Sequence, residues 1–444
     1  MKGILFSALL ALLFFSLFIT AFSFHFVQAN DGSQASSTDW WPMFNHDVSH
    51  TGVSTSSVPA TNSTLWSYNT NDWTQYLSVA NNLLYVGSFY GNVYCLNAAT
   101  GALVWKYVIP DGAQSSPPEN WISDTPAVSG DIVFVGSNNG YLYALNATTG
   151  ALIWETETGS SGSSPAVLGN LVYVGGYAVY CLNADTGATV WEKNLAVQGP
   201  MSSPAVVGDR LYIALCDNSI CCLNATDGSL SWNYTTGPDM NYEFGSLSPP
   251  CSPTVVNGLV YAGSKDGNFY CLDAATGALV WKYAAVNMIS QSAAVVNGLV
   301  YFAPDGDDAT VNDCLYCLNA STGAPVWISE FGFASIVTSP AVAGNVVFAG
   351  ANGTIYGLNA TTGAIVWSRG SPGFEGPPIV ADGLIYVDGG PDGMVYALGR
   401  SPGFPILTFS LSIVTIILPI LLTVLYLRGR QKQKQKQLPT ESSR

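Results

Sequence analysis

The chain has 444 residues, 48% of them apolar and only 10% charged, with 45 glycines and a net charge of −15. An average soluble chain carries roughly 25% charged residues. Here 12% aromatics stand beside that deficit, too much apolar surface for a disordered chain, and the acidity argues against a nucleic-acid binder.

In chain order, Lys2 precedes an apolar run from Ile4 to Phe22, then polar residues and Val27-Gln28-Ala29. Residues 1–29 read as a secretory signal with a small-residue cleavage site near Ala29; an uncleaved anchor helix is the alternative. Residues 30–63 are a lead-in, in which Trp40 and Trp41 are expected to cover one face of the domain beginning at residue 64. Of three histidines, His25 lies in the apolar stretch and only His46 and His50 remain for chemistry. They stand four apart in a Gly/Ser/Thr-rich segment that does not read as a helix, so they do not form a zinc pair.

From residue 64 the chain is a repeat. Leu96-Asn97-Ala98-Ala99-Thr100-Gly101 recurs with small changes at 145–150, 182–187, 223–228, 272–277, 318–323 and 358–363. Four residues after each glycine comes a tryptophan: Trp105, Trp154, Trp191, Trp232, Trp281, Trp327 and Trp367, with Trp66 one period before the first. Periods near 40–45 built from short strands indicate propeller blades. Each unit reads as four strands: a Ser-Pro-Ala-Val strand (Ser164–Val167), a second such as Leu171–Val174, a third such as Phe269–Leu272, and a fourth carrying the tryptophan. Between the third and fourth, the Asn or Asp side chain bonds its own backbone and glycine supplies a positive φ. The last unit, Pro377 to Leu398, has three strands and no tryptophan strand. Thr64-Leu65-Trp66-Ser67-Tyr68 supplies it, closing the ring and removing exposed sheet edges. The fold class is therefore all-β, an eight-bladed propeller of four-stranded antiparallel blades over residues 64–399.

Residues 400–404 are a short linker. Residues 405–427 carry no charge and are long enough to span a bilayer as a helix, Pro419 included. Residues 428–444 open with five of the chain's 14 basic residues, so by the positive-inside rule this tail is cytoplasmic and the propeller lies outside.

The motif Ala-x-Thr-Gly-x-x-x-Trp, with Tyr-Val-Gly before it and Trp41-Pro42-Met43-Phe44-x-x-Asp47-x-x-x-Thr51-Gly52 as lead-in, resembles the pyrroloquinoline-quinone-type propellers. These include quinoprotein alcohol dehydrogenases and, closer in style, the non-enzymatic propeller lipoprotein of outer-membrane assembly. The resemblance covers about residues 40–399 and implies that each tryptophan packs on a neighbouring blade's turn. It also implies what an enzyme would need: a quinone over calcium in the funnel, carboxylate and amide ligands, a catalytic aspartate, a basic residue and a vicinal disulfide. Cys221-Cys222 invites that comparison, but Cys222 occupies the repeat position of Cys95, Cys181, Cys271 and Cys317, filled elsewhere by Ala144, Gly357 and Ala397. A small packing residue is what that position requires. The first strands, Ser-Pro-Ala-Val-like, carry no ionisable residue; Lys106, Lys193, Lys282 and Arg369 follow ladder tryptophans, Lys265 reads as a hairpin tip, and only Arg210 could face inward. No catalytic residue and no cofactor are expected, with quinone and calcium as the alternative.

A rim formed by the fourth-to-first connections and the second hairpins gathers Trp73, Trp121, Tyr242, Phe244, Phe331 and Phe333 beside carboxylates, a combination that can hold peptides, sugars or cations. Tyr76 and Phe374 belong to the same group. Asp305, Asp307, Asp308 and Asp313 cluster oxygen ligands suited to a hard cation, with a solvated acidic tip as the plain alternative. Cys216 and Cys221 flank one hairpin as a candidate cross-strand disulfide. Seven N-glycosylation sequons occur at Asn62, Asn146, Asn224, Asn233, Asn319, Asn352 and Asn359, four of them inside the repeat turn. The expected function is a membrane-anchored, extracytoplasmic binding or scaffold module for a protein or glycan; a quinone-dependent dehydrogenase and a structural cell-surface component are the alternatives.

Overall fold

A computed structural model describes residues 39–399 except 60, 111–119, 123, 161, 196–200, 240–249, 286, 306–311, 334–337, 371–373 and 375; for 160, 312, 313, 332 and 333 it describes the backbone alone. The signal, the membrane-span candidate and the basic tail lie outside the described residues. Within them there are eight antiparallel four-stranded sheets, one joined by a short fifth strand, and no α-helix.

Blade 1 shows the plan. Its strands Thr74–Ala80, Leu83–Ser88, Asn92–Asn97 and Leu103–Val108 pair in sequence order, from the axis outward. The second and third strands are buried on both faces, each face packing on a neighbouring blade, which is why they read as continuous apolar runs. Blade 8 consists of Ile379–Ala381, Leu384–Asp388 and Met394–Gly399, completed by Thr64–Asn69 from the far end of the chain. Trp66 pairs with Ala397 there, as Trp105 pairs with Cys95 in blade 1.

The joint between blades repeats one device. The indole Nε1 of Trp105 donates to the carbonyl of Ala147 in blade 2, and Trp154, Trp191, Trp232, Trp281 and Trp327 donate likewise to Ala184, Ala225, Ala274, Ala320 and Ala360, at 2.9–3.1 Å. In several joints a tyrosine of the same blade gives its hydroxyl to the same oxygen, as Tyr85 does at Ala147. Trp66 and Tyr386 share the carbonyl of Ala98, which places the N-terminal strand chemically as well as topologically in blade 8. The turn glycine is required twice over: Gly150 has φ +73°, and a Cβ on it would sit 2.7 Å from Trp105.

Opposite the tryptophans stand the small third-strand residues. Cys181, Cys222, Cys271 and Cys317 pair with Trp191, Trp232, Trp281 and Trp327, Ala144 with Trp154 and Gly357 with Trp367. These cysteines are fully buried, and burial pushes the thiols of Cys95, Cys271 and Cys317 up to about 12. They are packing groups, as the repeat implies.

The lead-in closes one end of the central channel. From Trp41 to Gly52 it runs beneath the first strands and gives main-chain carbonyls to them in turn: Trp41 to Val79, Pro42 to Val128, Val48 to Val206, Ser49 to Val255, Thr51 to Val295 and Gly52 to Val342. Val53–Ser54 then pairs in parallel with Ala341–Ala343 of blade 7, and the Ser56 hydroxyl accepts from Gly383 N in blade 8. Trp41 is buried, as expected for a residue covering this face.

Candidate functional site

Three parts of the molecule bear on function: the channel, the open rim and the buried lead-in.

Around the channel the first strands tie blade to blade through hydroxyls. The backbone N–H of Thr125 donates to Ser164 Oγ, that of Ser164 to Ser203 Oγ, and that of Ser203 to Ser252 Oγ, at 2.9–3.0 Å. Ser292 continues the series to the Ser252 carbonyl and Ser339 Oγ. The serine of the Ser-Pro-Ala-Val motif is therefore a joint in a belt. Beneath it, Trp41, Phe44, Asn45, Leu77, Thr125 and Ile379 line a small crevice.

On the rim of blades 1 and 2 the structure brings two predicted aromatics together. The rings of Trp73 and Phe89 stack at 5.1 Å, and Phe89 meets Trp121 edge-on at 4.5 Å. Tyr90 lies 5.9 Å from Phe89 and is 54% exposed. Main-chain bonds hold the cluster: Phe89 N donates to the Trp73 carbonyl and Asn138 N to that of Trp121. Both indole N–H groups are buried with no hydrogen-bond partner among the described residues. Phe89 and Tyr90 do not emerge from the sequence pattern of the rim, although a signal is present: this hairpin tip reads Phe-Tyr-Gly where the next blade has Asn-Asn-Gly.

Carboxylates border the cluster. Asp72 accepts from Asn92 Nδ2 at 2.6 Å and from the Tyr94 hydroxyl at 3.3 Å. Asp124 and Asp388 are buried on either side of Tyr76. Burial and then these two charges raise the Tyr76 hydroxyl far above its ordinary range, so it stays a neutral donor. Neither aspartate lies in a first strand, which is why a reading of those strands passes over them.

The other predicted sites separate. Phe331 packs at 4.7 Å on Tyr356 of the next blade. Phe374 is buried against Tyr396 at 5.3 Å. Phe333 ends the strand Pro325–Phe333; Tyr242 and Phe244 lie outside the described residues. Asp305, between the second and third strands of blade 6, accepts from Ser290 Oγ of the connection entering that blade, at 2.6 Å. Asp307 and Asp308 are outside the described residues, and Asp313 is described as a backbone pair of Gly332. Among the described residues no group of three His, Cys, Asp or Glu is placed to hold a metal ion.

Cys216 and Cys221 are not joined as a disulfide. The register sets Cys221 opposite Ile213, and Cys216 lies beyond the paired strand, off the cross-strand position the expectation assigned it. Arg210 does not face the channel: its Nη1 donates at 2.9 Å to the Ala275 carbonyl in the next blade's turn. Lys265 is not an exposed tip but buried, lining a small crevice between blades 4 and 5 with Leu215, Asn218, Thr236 and Cys251.

In the lead-in, His46 sits between Asp39 (3.2 Å) and Asp47 (3.3 Å). Burial opposes its charge, but the two carboxylates win and raise it to about 9. Both carboxyls are held below their usual range, since His46 and the hydrogen bonds from Thr55 and Thr51 outweigh burial. His50 is the reverse case: burial lowers it to about 4, and Nδ1 contacts the Pro253 carbonyl at 3.0 Å. One histidine is a part-buried cation and the other a buried neutral ring, and both fasten the lead-in.

The family model described as outer membrane protein assembly factor BamB matches residues 29–155, 114–178, 138–302 and 311–403. No curated protein matches the chain. Among solved structures it is similar to BamB from Moraxella catarrhalis, at 21% identity over 76% of this chain and 99% of that one, with a TM-score of 0.62. It is also similar to the quinohemoprotein alcohol dehydrogenase from Comamonas testosteroni (17% identity, 83% and 82% covered, TM-score 0.64) and to a europium-containing methanol dehydrogenase (17%, 82% and 98%, 0.65). At these identities the likeness is one of fold.

Proposed function

The chain belongs to the family of the outer membrane protein assembly factor BamB, and on that premise we propose that it is a non-catalytic, extracytoplasmic scaffold that docks a protein segment on the rim of blades 1 and 2. The observation that supports this reading most is the part-exposed group of Trp73, Phe89, Tyr90 and Trp121 beside Asp72. Aromatic rings next to a carboxylate suit a cationic or amphipathic segment. In the same proposal residues 405–427 anchor the chain in a membrane and residues 428–444 are cytoplasmic.

A photo-crosslinking residue at Tyr90 tests the docking. In intact cells it should give a discrete adduct that vanishes in the Trp73→Ala/Trp121→Ala chain, while the same probe at Leu279, on an outer strand, should give none. An adduct unchanged by the double substitution would remove the rim from the proposal. An adduct that is a second copy of the chain would favour the structural cell-surface reading instead.

The dehydrogenase neighbours motivate a second reading, and the described residues fit its cofactor poorly. The first strands hold no basic residue, their serine hydroxyls are engaged blade to blade, and Cys221 and Cys222 are unbridged thiols in two different inter-blade cores. Calorimetry with pyrroloquinoline quinone and calcium should show no binding; micromolar affinity with dye reduction would make the enzyme reading the better one.

A further inference from the structure

Six of the seven repeat turns share one set of bonds, the turn at Asn224 keeping only that from Thr226 N because Asp227 replaces the threonine, and comparing them separates what the turn needs from what it merely contains. In the turn of blade 2, Asn146 Oδ1 accepts from Thr148 N at 3.1 Å, Thr149 N at 2.9 Å and Thr149 Oγ1 at 2.9 Å. Asp273 makes the same three bonds in blade 5, at 3.1, 2.8 and 2.7 Å. The side-chain amide nitrogen is therefore not required by the turn. Nor is a hydroxyl two residues on, because Ala99, Asp185 and Ala275 hold that place in blades 1, 3 and 5 with the bonding intact.

Four turns nevertheless carry both extras. Asn146, Asn224, Asn319 and Asn359 are followed at the second position by Thr148, Thr226, Ser321 and Thr361, all exposed. Three of these hydroxyls make no hydrogen bond to a described residue, and the fourth contacts the exposed side chain of Asn345 at 3.2 Å. None of the four Nδ2 atoms donates to a described residue, whereas Asn62, an acceptor sequence outside the turns, spends its Nδ2 on the Ser368 carbonyl at 3.1 Å. The hydroxyl occurs only where the amide is present, and the single Asp turn has neither.

We infer that the turns at Asn146, Asn224, Asn319 and Asn359 are N-glycosylation sites, displayed on the face that the lead-in closes. Asn-x-Ser/Thr is the acceptor sequence, and an exposed turn presents it. In the reaction Nδ2 attacks the anomeric carbon of an oligosaccharide carried on a lipid phosphate. A C–N bond forms, the bond from that carbon to the phosphate oxygen breaks, Nδ2 loses one proton, and the lipid phosphate leaves. The inference rests on the extracytoplasmic reading and extends it: four glycans on one face leave the aromatic rim opposite as the surface for a partner.

Mass spectrometry of peptides from the full chain, purified from its source organism, tests it. Oligosaccharide adducts are expected at the four turns and not at Asn97 or Asn183. Thr148→Ala should abolish the adduct on Asn146 and leave the melting temperature unchanged. Thr149→Ala should keep the adduct and lower the melting temperature, because Thr149 serves the turn and Thr148 the acceptor. Bare asparagines at all four turns, in a propeller that protease removes from intact cells, would overturn the modification alone. A propeller still shielded from protease in cells stripped of their outer envelope, with the cytoplasmic membrane intact, would overturn the extracytoplasmic reading and the modification with it.

Discussion

Between blades 1 and 2, Trp105 lies on Gly150 and gives its indole hydrogen to the turn carbonyl of Ala147. Between blades 7 and 8, Trp367 has the same place on its strand and no such turn to meet, because the chain's two ends come together there. Its ring packs on Phe348 at 5.7 Å and makes no hydrogen bond to a described residue. Arg369 takes over: Nη1 donates to the Asn62 carbonyl at 2.7 Å and Nη2 to Thr64 Oγ1 at 2.5 Å, while Asn62 Nδ2 returns a bond to Ser368. The repeat thus specifies a joint only where the chain is continuous. At the seam the ring is held by side chains that occur once.

The seam is most vulnerable at the strand that closes it. Deleting residues 64–69 should abolish cooperative unfolding and cause aggregation, seen by calorimetry and light scattering, because blade 8 would expose an unpaired edge. Next, Trp105→Ala should cost about 3–5 kcal/mol, measured by denaturant unfolding. Trp367→Ala should cost less by about 1 kcal/mol, the net worth of the missing hydrogen bond; equal losses would mean that the seam is an ordinary joint.

Away from the seam, the lead-in carries the two histidines, so pH should act on the plug. His50 has its folded value lowered from 6.5 to about 4, so its contribution is whole above pH 6.5 and is lost as pH falls toward 4. His46, raised to about 9, contributes fully below pH 6.5 and loses that contribution as pH rises through 9. At about 1.4 kcal/mol per pH decade each limb spans about 3 kcal/mol. Melting curves against pH should therefore peak near 6.5, with His50→Gln flattening the acid limb and His46→Gln the alkaline one. Smallest of all, Arg369→Ala should cost about 1–2 kcal/mol, and Arg369→Lys should not restore it, since one ammonium cannot reach both acceptors.

The ring, its eight blades and the closing strand were legible because each rests on a residue repeated at fixed intervals. So was the small-residue rule at Cys95 and its equivalents, which face the tryptophans. The lead-in was not legible as a plug: it bonds through main-chain carbonyls, which every residue possesses, so no side-chain pattern marks it. Phe331 and Phe333 were read as part of a connection, whereas the fourth strand of blade 6 runs on to Phe333. Arg210 was misjudged because its strand position says nothing of a guanidinium that reaches the next blade. The rim pair Trp73 and Trp121 was seen, but not Phe89, the ring that joins them.

Order of synthesis gives the lead-in a further meaning. Residues 41–56 and the strand Thr64–Asn69 leave the ribosome before any of blades 1 to 7, yet their partners extend through Val342 and Gly383 to Leu398. Hairpins within a blade can form as they emerge, whereas these contacts must wait for nearly the whole chain. A molecule cut short before blade 8 would keep both segments unsatisfied, a bare strand and a loose apolar lead-in at its front. Segments made before the blades are the last to settle, so an unfinished copy carries its own mark.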